Sequence, residues 1–226
     1  MTSIQLVVFD MAGTTIDEDN VVYKTLHKVI KEIGYDISLK DVLTIAAGKE
    51  KFQAIIDILK TNIDQDNLSQ KAEQSFLRFK KELDEAYSTL TVKTFPGVDD
   101  FLIDLRKNGI KVVLNTGYNS KVASLLLDKL GWTQGQSYDA LITADDVDKG
   151  RPAPDMIQKA MTLFSIEDSS LVLKAGDSIV DVEEGKNAGC SITVGVLSGA
   201  QTKEQLASAK PTYILNNVSE LRNILL

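Results

Sequence analysis

The chain has 226 residues, 43% of them hydrophobic, with 25 Lys and Arg against 32 Asp and Glu, a net charge of −7 and one cysteine. That length suits one large domain or one domain with an inserted module, and the apolar share allows a sizeable core. The acidic balance argues against general binding to nucleic acid or membrane surfaces, and the lone Cys190 excludes an intrachain disulfide and fits a reducing, cytoplasmic setting.

The opening MTSIQLVVFD holds a short apolar run, 4–9, stopped by Asp10. It has no basic segment ahead of that run, so no signal peptide is expected. No later stretch reaches the ~18 apolar residues that a membrane-spanning helix needs. From about 18 to 92 no strand is expected. Val22, Leu26, Val29, Ile30 and Ile33 form one helical stripe, 51–60 a second, and 68–87 a long charged third. Beyond this region, apolar runs at 111–116, 140–143, 171–176, 192–197 and 212–215 alternate with helical patterns near 97–108, 119–131, 154–165, 181–188, 202–208 and 217–225. Continuous rather than alternating apolar runs suit strands buried on both faces of a parallel sheet. The expected fold is therefore α/β: a Rossmann-like parallel sheet core, residues 1–17 and 93–226, with an inserted α-helical cap, residues 18–92. The crossings near Thr15–Asp19 and Thr89–Pro96 are candidate hinges, and a cap over the strand ends suits a ligand site there.

The chemistry-bearing residues fall at strand ends. Asp10 ends the first strand, Thr116 and Gly117 of LNTG end the next, and Asp177 of GDSIVD ends another, with Asp181 opening the following helix. Arg151 of GRPAP follows a fourth strand. Taken singly, each has an ordinary reading as a turn former, a helix cap or an exposed cation. Together they converge on one edge of the sheet. Converging carboxylates suit a hard divalent cation, and Mg²⁺ is commonly held by one or two carboxylates plus substrate phosphate and water. Thr116 and Arg151 are placed to hold phosphoryl oxygens. With Asp10 free to attack, the set is organised for phosphoryl transfer through an aspartyl-phosphate.

DMAGTT, LNTG, GRPAP and GDSIVDVEEGKNAG together resemble the haloacid dehalogenase superfamily over nearly the whole chain. The resemblance implies that Asp10 is nucleophile and metal ligand, and that Ala12 gives a backbone carbonyl to Mg²⁺. It implies a phosphate-binding role for Thr116, with Gly117 beside it, a metal-ligand role for Asp177 and a supporting role near the metal for Asp181. Most phosphatases of the superfamily carry a second Asp at the position of Ala12 and a Lys at the position of Arg151. Ala12 with Arg151 looks like the phosphonoacetaldehyde hydrolase, or phosphonatase, branch. That branch uses a cap lysine, three residues after a glycine, to form a Schiff base. Gly48 and Lys51 satisfy the spacing and Lys49 does not.

An alkoxide leaving group benefits from a general acid, typically by a factor of ~10²–10⁴, which Ala12 cannot provide. Cleavage of a P–C bond needs an electron sink instead, and a protonated imine on Lys51 is one. The missing acid and the present lysine thus belong to one expectation: Mg²⁺-dependent cleavage of a 2-oxoalkyl phosphonate, by a monomer or homodimer. The branch has Met and His at the positions of Ala47 and Ala54, and Trp at that of Met11, so the resemblance implies a phosphonatase-like enzyme acting on phosphonoacetaldehyde or on a different 2-oxoalkyl phosphonate. The alternatives are a phosphomonoester phosphatase or phosphomutase, with Lys51 binding an anion, and a protein that binds a phosphorylated metabolite without turnover. The single histidine, His27, is expected to be a packing or surface residue.

Overall fold

The computed structural model describes residues 4–47, 49, 51–61 and 67–226. The chain divides into two compact units, Met1–Asp17 with Val92–Leu226, and Glu18–Thr91.

The first unit is built on six parallel strands: β1 (Leu6–Asp10), β4 (Lys111–Asn115), β5 (Ala140–Ile142), β6 (Val172–Gly176), β7 (Ile192–Val196) and β8 (Tyr213–Leu215). Their order is β5-β4-β1-β6-β7-β8. Every residue of β1 is buried, as continuous Leu, Val and Phe require when both faces of a sheet are covered. Leu6 and Val8 pack in one cluster with Met156, Ile157 and Ala160 of α7 (Asp155–Leu163). Phe9 points the other way, its ring 6.2 Å from that of Phe101 on α5 (Val98–Lys107). Alternate residues of one strand therefore meet helices on opposite faces. Burying a side chain such as Phe9 contributes about 1.5–3 kcal/mol.

The strand order places the site. β4 and β6 flank β1 on either side, so the chain reverses its direction of winding at β1. Open α/β sheets bind ligands beyond the carboxyl ends of their strands at such a reversal, and Asp10 is the last residue of β1. Two further strands, β2 (Ile16–Asp17) and β3 (Lys93–Thr94), form an antiparallel pair where the chain leaves and re-enters this unit. Both crossings thus carry a ribbon that two-residue segments, too short for periodicity, do not announce.

The second unit contains α1 (Val21–Glu32), α2 (Leu39–Ala46), α3 (Lys51–Lys60) and α4 (Leu68–Thr89). Helix α1 buries Val21, Val22, Thr25, Leu26, Val29 and Ile30, one stripe at helical spacing, and packs on α4. Helix α3 buries Ala54, Ile55, Ile58 and Leu59, and Phe52 meets Phe76 of α4 with ring centroids 5.3 Å apart. Lys28 of α1 pairs with Glu82 of α4 at 2.9 Å. Helix α2 is the element that the apolar pattern leaves out. It buries only Val42 and Ala46, too few for a stripe, and is instead begun by Ser38, whose side chain accepts a hydrogen bond from the backbone N–H of Asp41. His27 of α1 is hydrogen-bonded through Nε2 to the Ile37 carbonyl at 2.9 Å, which gives it a packing role. Among the described residues, no helix is long and apolar enough to cross a membrane.

Candidate active site

Beyond Asp10 the chain turns tightly. The Met11 carbonyl accepts the backbone N–H groups of Thr15 and Ile16 at 2.9 and 2.8 Å, and the Thr15 hydroxyl donates to the Asp10 carbonyl at 2.9 Å. Gly13 has φ +82°, and a Cβ there would stand 2.6 Å from Asp177 Oδ2. Only glycine combines that backbone with so close an approach. Asp177 follows β6; its Oδ2 accepts the Ala200 N–H at 2.7 Å. The Ser198 hydroxyl donates to the Gly13 carbonyl at 2.7 Å, so the loop after β7 fastens both the Asp10 turn and Asp177.

Asp181 lies in the first turn of α8 (Ile179–Asn187), where the helix dipole favours a carboxylate. Its Oδ2 accepts a hydrogen bond from the Ser178 hydroxyl. At Gly176, a Cβ would fall 2.1 Å from Asp181 Cγ, so the end of β6 has to be glycine for Asp181 to sit there. One oxygen each from Asp10, Asp177 and Asp181 lies within 4.8 Å of the others, and all three residues are buried.

Arg151, from the loop after β5, enters this cluster with its side chain 10% exposed. Its NH2 is 2.8 Å from Asp10 Oδ1, its NH1 2.5 Å from Asp181 Oδ1 and its Nε 3.8 Å from Glu184 Oε2. Lys174 of β6 meets the same Asp181 oxygen at 3.0 Å. Thr116 is buried one residue past Asn115, the β4 partner of Asp10 in register. Its hydroxyl accepts the Tyr118 N–H at 3.1 Å. Gly117 is exposed beside it.

Burial pushes the Asp10 carboxyl up to about 6; Arg151 opposes this, but the charge of Asp181 adds to it. Burial pushes Asp177 higher, to about 8, and repulsion from Asp10 and Asp181 works the same way. Asp181 is buried too, yet the cations Arg151 and Lys174 outweigh burial and hold it below its ordinary value. Four buried carboxylates, Asp10, Asp177, Asp181 and Glu184, thus face two cations, Arg151 and Lys174. One divalent cation balances that set, and the all-oxygen donors suit a hard one. Burial pushes the Cys190 thiol up to about 12, away from thiolate character.

The structure thus brings Asp10, Arg151, Asp177 and Asp181 into one cluster, with Thr116 at the same sheet edge. Lys51 belongs to the helical unit, as the first residue of α3. Its Nζ donates to the Lys49 carbonyl at 2.6 Å and lies 5.1 Å from the centroid of the Tyr23 ring. Lys49 itself pairs with Asp57 at 2.7 Å. Gly48 and Glu50, the motif glycine and a neighbouring acid, lie outside the described residues. Two members of the cluster escape motif reading, Lys174 and Glu184. Their signals are faint: a lysine inside the apolar run LVLKAG, and a glutamate three residues after Asp181, on the same helix face.

Residues 7–195 match the haloacid dehalogenase-like hydrolase family, and the chain belongs to it. It is a hydrolase of that superfamily, with the α/β core the family implies. It is 29% identical over 266 residues to a phosphonoacetaldehyde hydrolase from Latilactobacillus sakei, covering 100% of this chain and 96% of that one. Among solved structures it resembles a phosphonoacetaldehyde hydrolase-like protein from Oleispira antarctica, with a TM-score of 0.80, 22% identity, and 98% and 91% of the two chains covered. It resembles equally in fold a predicted phosphoglycolate phosphatase from Haemophilus somnus, with a TM-score of 0.77, 19% identity and 100% of both chains covered.

Proposed function

We propose that this protein is a phosphonatase-like hydrolase that cleaves the P–C bond of a 2-oxoalkyl phosphonate, phosphonoacetaldehyde or a close analogue. The observation that carries the reading is the pairing of Ala12 with Arg151: no acid stands two residues after Asp10, while a guanidinium bridges Asp10 and Asp181. Asp10 is the nucleophile. Arg151 and Thr116, with Gly117 beside it, bind the phosphoryl oxygens, and Arg151 holds Asp10 in line. Mg²⁺ fits the donor set of Asp10, Asp177 and the Ala12 carbonyl, with Asp181 in support, and supplies neutralisation of phosphoryl charge.

Residues 18–92 act as the cap and deliver Lys51. The Lys51 amine condenses with the substrate aldehyde and releases water, giving a protonated imine. Asp10 attacks phosphorus as the P–C bond breaks, and the bonding pair passes into the imine to form an enamine. The enamine is protonated at carbon and hydrolysed from Lys51, giving the free aldehyde. A second water releases phosphate from Asp10. Ala47 and Ala54, where the branch has Met and His, leave a close analogue of phosphonoacetaldehyde within the same reading.

The test is borohydride trapping. The protein is incubated with Mg²⁺ and phosphonoacetaldehyde and reduced, and the adduct is located by mass spectrometry while phosphate release is assayed. An adduct on Lys51 with phosphate released is expected. Turnover of ordinary phosphate esters with no adduct would replace this reading by a phosphomonoesterase, a class to which the fold likeness to a predicted phosphoglycolate phosphatase also lends weight.

A further inference from the structure

Strand β6 carries one residue that its surroundings disfavour. Lys174 lies between Leu173 and Ala175 and is fully buried, as both of them are. A buried ammonium without partners is costly, so what it touches explains why it is tolerated. Its Nζ is 2.6 Å from Asn115 Oδ1, 3.0 Å from Asp181 Oδ1 and 3.0 Å from Glu184 Oε2. Three donors thus meet three acceptors. Asn115 closes the ring, because its Nδ2 donates to both oxygens of Glu184 at 3.0 Å.

The two cations share their acceptors. Asp181 Oδ1 receives both Lys174 and Arg151, and Glu184 Oε2 lies 3.0 Å from one and 3.8 Å from the other. Without the ammonium, Glu184 would be a fully buried carboxylate with Arg151 as its nearest cation. The guanidinium would then be drawn toward Glu184 and away from Asp10. With Lys174 present, Glu184 is satisfied, and Arg151 keeps one nitrogen on Asp10 at 2.8 Å.

We propose that Lys174 is a positioning residue: by satisfying Glu184 and sharing Asp181, it keeps the Arg151 guanidinium committed to Asp10, without itself touching substrate. This rests on the roles given above to Asp10 and Arg151. A lysine that merely filled the core would affect folding and leave the folded site unchanged.

Three full-length proteins decide it: wild type, Lys174→Met, and Lys174→Met with Glu184→Gln. For each, kcat and KM for phosphonoacetaldehyde are measured per folded site, and orthovanadate binding with Mg²⁺ is measured by calorimetry. A misplaced group near the reacting atoms costs about 10²-fold. Lys174→Met is therefore expected to lose about 10²-fold in kcat with KM within about threefold, and to weaken orthovanadate about tenfold. Removing the stranded charge with Glu184→Gln is expected to recover about tenfold of the lost kcat. A folded Lys174→Met with kcat and orthovanadate affinity within about threefold of wild type overturns the proposal, as does a double variant no better than the single one. If the single variant does not fold, Lys174→Gln, which also removes the ammonium, takes its place under the same thresholds. Wild-type protein that binds orthovanadate but releases no phosphate from phosphonoacetaldehyde sinks the substrate reading alone, and the orthovanadate comparison then decides Lys174.

Discussion

Arg151 NH2 stands 2.8 Å from Asp10 Oδ1. The same guanidinium holds Asp181 through NH1 and faces Glu184 through Nε, so three nitrogens of one planar group serve three carboxylates. A lysine ammonium is a single point of charge without the planar spread of nitrogens that reaches all three carboxylates at once from this position. Arg151→Lys is thus expected to fold and to lose about 10²-fold in kcat/KM, the cost of a group misaligned at the reacting atoms. Steady-state phosphate release checks it, and a loss under about threefold would show that charge alone matters at this position.

The carboxylates predict a specific coupling of Mg²⁺ to pH. Asp10 is raised to about 6 and Asp177 to about 8 from an ordinary value of 3.8, in both cases chiefly by burial. A carboxyl raised on folding gives stability that is fully present below 3.8 and lost as pH rises through its folded value. Stability without added cation should therefore fall from about pH 4 to about pH 8. Mg²⁺ binds the ionised forms and opposes that fall, so the rise in Tm produced by Mg²⁺ should be several degrees near pH 8 and close to zero near pH 5. Differential scanning fluorimetry with and without Mg²⁺, repeated on Asp177→Asn, measures this. A shift as large at pH 5 as at pH 8, or one that persists in Asp177→Asn, contradicts the assignment.

Much of this site can be read along the chain, because a parallel sheet converts strand ends into neighbours. Asp10, Thr116, Asp177 and Asp181 each end a strand or open the helix that follows, so their convergence follows once the βαβ order is seen. The bridging by Arg151 is different. It joins residues 30 positions apart through one side-chain conformation, and no pattern of residue types encodes that. Lys174 and Glu184 are hidden for a related reason: a lysine in an apolar strand reads as an edge or surface residue until its partners are known. The β2–β3 pair and α2 are hidden by brevity, since two residues, or two buried positions, carry no period.

Lys51 gives the sharpest separation of mechanisms. Its ammonium is held by the Lys49 carbonyl and the Tyr23 ring, contacts that an arginine could also make. An arginine cannot form the imine. If P–C cleavage runs through Lys51, Lys51→Arg and Lys51→Met should both lose phosphonoacetaldehyde turnover by at least about 10³-fold, a loss that one interaction removed from the transition state can produce. If Lys51 only binds an anion, the arginine variant should retain activity within about tenfold and the methionine variant should mainly raise KM. Parallel assays of the two variants decide between them.

Ala12 allows the converse experiment. It is half-buried in the turn after Asp10, two residues from the nucleophile and next to Gly13, which packs against Asp177. An aspartate there would supply the general acid that alkoxide leaving groups need, typically a factor of ~10²–10⁴. It would also add a carboxylate to a cluster already holding four, and offer nothing to a carbanion leaving group. Ala12→Asp should therefore raise hydrolysis of a simple alkyl phosphate by at least about tenfold while lowering release of phosphate from phosphonoacetaldehyde. Both are measured on one preparation, with Mg²⁺ varied to compensate the added charge. If the variant instead leaves alkyl phosphate hydrolysis unchanged and the protein folded, the absence of an acid at position 12 is not what separates this site from a phosphatase, and the case for P–C cleavage then rests on Lys51 alone.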